Sequence, residues 1–191
     1  MKYSLLMATA AVAFFLPGAK TMQAADPDTS AASQYCVQSG GVVVERAPYY
    51  GTNGPSSSWL RLAGDRKFCK FTSPTDGSRI HILLETLYTT EPSLAALAYY
   101  EKPPMNPPGP GNPASYYCTQ LGGSDLFGGV NAAGGGWVGK DYPDQVLEAC
   151  IFPDMSSIDS WGLTYNTAGD IRGIDLTTVL RYKGPPPAAT H

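Results

Sequence analysis

The sequence predicts an α+β protein made of two tandem small disulfide-tied units. Each unit has an N-terminal helix, a short antiparallel sheet and one or two short helices. Three observations predict this. The phrase ASQYCVQSGG (residues 32–41) returns as ASYYCTQLGG (114–123), with seven of ten positions identical at an offset of 82. Four cysteines divide evenly between the two copies. Short β-branched and aromatic runs alternate with turn-forming stretches, 21 Gly and 17 Pro in 191 residues, which suits short elements.

The repeat extends beyond the opening phrase. CKF (69–71) returns as CIF (150–152), and SLAALAYY (93–100) as DLTTVLRY (175–182). Each copy also has a tryptophan before its second cysteine, Trp59 and Trp137. A tandem duplication accounts for this. Residues 26–102 form unit one and 112–183 unit two. The Pro-rich stretch 103–111 is an extended, semi-rigid spacer, and 184–191 a disordered tail. Each unit is expected to fold alone.

The elements follow in order. Asn112 is a good helix N-cap and Pro113 suits the first helical position. Ala114, Tyr117, Cys118 and Leu121 make one apolar face at helical spacing, and Gly122 and Gly123 end the helix. The same reading applies at 32–41. GGVVVERA, SWLRLAG and RKFCKFT read as strands of unit one, GWVGK and VLEACIF as strands of unit two. A short helix or turn follows each CxF. A last helix begins at Ser93 in one unit and Asp175 in the other, both capable caps.

Residues 1–25 read as a cleaved signal peptide: Lys2 supplies the positive start and LLMATAAVAFFL an apolar run of 12, broken by Pro17 and Gly18. No cysteine follows that run to carry a lipid anchor, and no later stretch spans a membrane. The expected location is therefore periplasmic or secreted. Of 13 basic residues, Lys2 and Lys20 leave with the leader, so 11 face 16 acidic ones and the mature chain is near −5. Neither half carries a basic stripe, which excludes nucleic acid and anionic lipid as expected partners.

Four cysteines allow three pairings. A unit able to fold before it was doubled must close its own bridge, so Cys36 pairs with Cys69 and Cys118 with Cys150. Loops of this length contribute about 3–4 kcal/mol each in the chain-entropy model. No CxxC and no paired histidines suggest a metal or redox role.

With these residues in place, unit two resembles a small bacterial secreted or envelope family, the domain of unknown function number 333, often labelled haemolysin. The resemblance rests on NPASYYCTQLGG, then CIFPD followed by SSIDSWGL. Unit one matches through SAASQYCVQSGG and CKF…DGS. Where the family has a later cysteine pair, this chain has Ile158 and Ile171, so apolar residues replace a second bridge. Ile80 takes the matching place in unit one. The resemblance implies an envelope protein without an assigned mechanism.

Catalytic motifs are poor. GGGWVGKD (134–141) satisfies most of a phosphate loop, but Asp141 stands where a Ser or Thr would hold magnesium, and no helix start follows. It reads as a turn entering a strand. Of two histidines, His191 is terminal and His81 lacks a repeat counterpart, since Asp159 occupies its place. His81 reads as a surface or satisfied half-buried histidine. Asp154 with Asp159, and Asp76 with Glu85, are weak carboxylate pairs for glycoside cleavage. Asp154 reads better as a turn or cap residue. No catalytic, cofactor-binding or metal residues are assigned, and no cofactor is expected. The loop APYYGTNGPSSSW is a candidate binding surface through Tyr49, Tyr50, Asn53 and Trp59. The expected function is non-catalytic binding of a protein or glycan of the cell envelope. Alternatives are an inhibitor of a protease or lysozyme that inserts this loop, and an envelope hydrolase.

Overall fold

The computed structural model describes residues 30–107, 111–125, 133–139 and 146–184. The signal segment predicted over 1–25 and Lys140 and Asp141 lie outside these residues, as does the predicted tail beyond Gly184.

Each copy of the repeated phrase is a helix closed by its cap. In α1 (Ala31–Gln38), Ser30 Oγ accepts from the Ser33 N–H. In α4 (Pro113–Gln120), Asn112 Oδ1 accepts from the Ala114 N–H and Pro113 opens the helix. The cysteines point inward: Cys36 is bonded to Cys69 and Cys118 to Cys150. The second glycine after each helix makes room for the bridge. A Cβ on Gly41 would lie 2.3 Å from Cys69 Sγ, and one on Gly123 2.5 Å from Cys150 Sγ.

The strands are β1 (Val42–Tyr50), β2 (Leu60–Arg61), β3 (Arg66–Thr72), β4 (Arg79–Leu83), β5 (Gly135–Val138), β6 (Val146–Leu147), β7 (Ala149–Ile151) and β8 (Ser157–Asp159). The remaining helices are α2 (Leu84–Tyr88), α3 (Leu94–Glu101), α5 (Ser160–Thr167) and α6 (Leu176–Val179). The caps expected at Ser93 and Asp175 are present: their side chains accept from Ala96 N–H and Thr177 N–H. No helix among the described residues is long and apolar enough to cross a membrane.

The α+β class holds, but the chain does not form two separate small sheets. All strands join one antiparallel sheet, in the order β6-β5-β1-β3-β4-β8-β7, with β2 beside β1. First-half strands β1 and β4 pair with second-half strands β5 and β8. The main core likewise draws on both halves, with Cys36, Phe71, Ile82, Tyr99, Tyr117, Cys150, Ile158 and Leu176 in one buried cluster. The physical reason lies in caps and edges. The turn after β7 satisfies the start of α3: Asp154 Oδ2 accepts from Leu94 N–H and Ser156 Oγ from Ala95 N–H. Each half leaves backbone donors and a strand edge that only the other half satisfies.

The duplication survives as a local two-fold axis. Val42 pairs with Lys70 in the first half, and Ser124 with Ile151 in the second. Cys69 pairs with Ile82, and Cys150 with Ile158. Ile82 then faces Ile158 directly across β4 and β8. Equivalent residues opposed in an antiparallel ladder lie on a two-fold axis. The counterpart of Ile158 is therefore Ile82, not Ile80. The β3–β4 hairpin is two residues longer on each strand than the β7–β8 hairpin, and Ile80 sits one pleat back on the same face. By the same register His81 corresponds to Ser157, and Asp159 to Leu83. Ile158 is fully buried, whereas Ile171 is exposed, so only the first fills interior space.

Candidate functional site

A cleft of about 440 Å³ opens where strands and loops of both halves meet. Its floor is a buried polar relay. His81 and Asp159 line the cleft, and behind them Arg46 on β1 donates by Nη1 to the Trp137 carbonyl at 3.1 Å, with its Nη2 3.1 Å from His81 Nε2. A guanidinium only donates, so Nε2 accepts, and the ring proton sits on Nδ1, 3.4 Å from Asp159 Oδ2. Asp159 is also engaged by its other oxygen, which caps α5 by accepting from the Gly162 N–H at 3.1 Å. Arg46, His81 and Asp159 are all buried.

The walls come from distant parts of the chain. Glu148 lies between β6 and β7 and interrupts an otherwise apolar stretch. Burial pushes its carboxyl above the ordinary glutamate range, and the charges of Asp125 and Asp159 add to the rise; hydrogen bonds from Asn112 and Trp161 oppose it. The Asn112 Nδ2 contact to Glu148 Oε2 is 2.6 Å. Trp161 on α5 packs on Tyr165, with centroids 5.9 Å apart, and Arg172 lies over the other part of that stack, 5.1 Å from the Tyr165 centroid. Arg79, Thr52 and Asn53 also line the cleft.

The loop predicted as a binding surface divides between two places. Asn53 is a wall of the cleft. Tyr49 and Trp59 stack edge to face 6.1 Å apart, and Trp59 Nε1 donates to the Gly54 carbonyl, which stiffens the loop from behind. Tyr50 is exposed at its side. Trp59 and Trp137 are not spatial counterparts: Trp137 is buried on β5 against Phe68, with centroids 5.7 Å apart.

The glycine-rich stretch serves close packing. Gly134 has φ +73, and a Cβ there would lie 2.5 Å from the Asn53 side chain, so this glycine lets the loop lie against β5. The acids of the two carboxylate pairs set aside above have local roles. Asp154 caps α3, and Asp76 caps its own turn through the Ser78 N–H at 2.9 Å. Glu85 sits in the first turn of α2, on an exposed face. The carboxylate that joins Asp159 in the cleft is Glu148. A lone acid inside VLEACIF was the available signal for it. Among the described residues no group of three or more His, Cys, Asp or Glu is placed to hold a metal ion.

No family model, curated protein or solved structure matches this chain.

Proposed function

We propose that the protein is a non-catalytic binding protein of the periplasm or cell exterior, and that its cleft takes a saccharide of the envelope. The observation that carries this reading is the occupancy of the floor. Both ring nitrogens of His81 are engaged, and so are both oxygens of Asp159. This leaves the relay without a base to activate a nucleophile. Above it stand an aromatic face, two amides, a carboxyl and two guanidinium groups, a set suited to stacking on and hydrogen-bonding a polyhydroxylated ring. Two disulfides are in keeping with an oxidising compartment, and the leader-like residues 1–25 support export. Kinship with the envelope family that the repeated motif resembles belongs to the same reading.

The test is titration of mature protein (residues 26–191) with soluble cell-wall saccharide fragments, followed by tryptophan fluorescence and by mass spectrometry of the fragments. The expected result is a saturable change that Trp161→Ala abolishes, with the fragments recovered intact. Absence of any saturable change overturns the reading. Cleaved fragments favour a hydrolase with Glu148 as its acid, a role to which its raised pKa is suited.

A second reading, an inhibitor of a protease or lysozyme, is favoured by the exposure of Tyr50 and Leu60 on paired strands beside the loop. Capture of an active hydrolase that Tyr50→Ala releases decides for it.

A further inference from the structure

The two-fold axis gives the polar cleft a twin of opposite chemistry. Register across the axis relates Arg79 to Met155, His81 to Ser157, Asp159 to Leu83 and Leu147 to Arg66. The first member of the first three pairs lines the polar cleft, as does Leu147. Met155, Ser157, Leu83 and Arg66 line a second cavity of about 290 Å³. There the charged floor is replaced by Leu83, with Phe68 and Trp137 beside it. These belong to a small apolar cluster separate from the main core. Met155 is exposed at the rim.

Two buried polar atoms on the lining residues stand without partners among the described residues: Trp137 Nε1 and Ser157 Oγ. Both residues are more than nine-tenths buried. Both atoms are closed off from solvent, so they lie behind the cavity wall and the polar group that a ligand meets is a different one. Arg66 adds a cation to the same lining. An apolar recess with one guanidinium in its lining fits a molecule with an apolar body and an anionic oxygen head.

We propose that this cavity is a second ligand site, for a single amphiphile with an acyl-type body and a carboxylate or equivalent oxyanion. The body packs on Phe68, Leu83 and Trp137. The head accepts from Arg66. The polar twin across the axis takes a different ligand because its equivalents are charged.

The experiment uses mature protein and decanoate as the probe, with the three tryptophan indole N–H signals followed by NMR. The expected result is a saturable shift of the Trp137 signal. Leu62→Trp, which fills the cavity from a partly exposed position, removes that shift. Arg66→Gln raises the Kd for decanoate about tenfold, the size expected for loss of one charged hydrogen bond, and leaves decanol unaffected. No saturable shift of Trp137, or one that survives Leu62→Trp, overturns the site. Equal affinity for decanol and decanoate overturns the anionic head. None of these outcomes bears on saccharide binding in the polar cleft.

Discussion

Ile82 and Ile158 stand Cα to Cα in the one registered pair between β4 and β8, and both are fully buried. That contact is the seam of the molecule: the two halves of the repeat meet there at equivalent residues, each backed by its own disulfide cysteine.

Truncating either isoleucine opens a cavity in the main core, where both are packed among strand and helix residues of both halves. Ile82→Ala and Ile158→Ala are each expected to cost about 2–5 kcal/mol in urea unfolding. As direct neighbours they are not additive: the double variant should depart from the sum by about 0.5–3 kcal/mol.

The repeat by itself predicts a self-sufficient second half, and the shared sheet predicts the reverse. Residues 111–184 expressed alone into an oxidising compartment lack β1 for β5 and β4 for β8. The fragment is expected to show no cooperative thermal transition by circular dichroism. Co-expression with residues 26–110 is expected to restore one.

How far the sequence could be read follows from which contacts are local. The repeated helix with its cysteine was legible because cap, apolar spacing and terminating glycines lie within a dozen residues. The strands at the seam were not. RIHILLETLY runs apolar without a period that separates strand from helix, so β4 and α2 merge in it. The cleft was hidden for a different reason. Asn53, Arg79, Asn112, Glu148 and Trp161 are scattered over both halves, and only cross-half pairing gathers them. His81 reads from the sequence as a surface or half-buried residue, whereas it is fully buried, and nothing near it in sequence names Arg46 or Asp159 as its partners.

Arg46 holds the His81 ring from below. Arg46→Met removes one side of a buried, hydrogen-bonded set and leaves Nε2 and the Trp137 carbonyl unanswered. A loss of about 1–3 kcal/mol is expected in chemical unfolding. Nitrogen-15 NMR of the His81 ring should place the proton on Nδ1 in the parent at neutral pH, and show that preference weakened in the variant.

Glu148 carries the pH signature of the cleft. Its folded pKa is raised, chiefly by burial, above the ordinary value of 4.5. The folded state therefore holds the proton more tightly than the unfolded chain. The stabilisation is complete below 4.5 and is lost as pH rises through the raised value. Glu148→Gln keeps an acceptor for Asn112 and removes the titration. Thermal melts of the variant across this window are expected to be flatter with pH than those of the parent.

The axis through Ile82 and Ile158 also bears on how the chain reaches this state. A chain synthesised from its N-terminus presents β4 before β8 has arrived, with the first turn of α3 still waiting for Asp154 and Ser156. The missing partner of β4 is a near copy of the hairpin to which β4 itself belongs. Two emerging chains thus offer each other a surface of the same shape as the one each awaits. Exchange of halves between molecules, giving closed swapped dimers, is the characteristic misassembly of such a design. The Pro-rich stretch between the halves sets how readily each chain finds its own second half first.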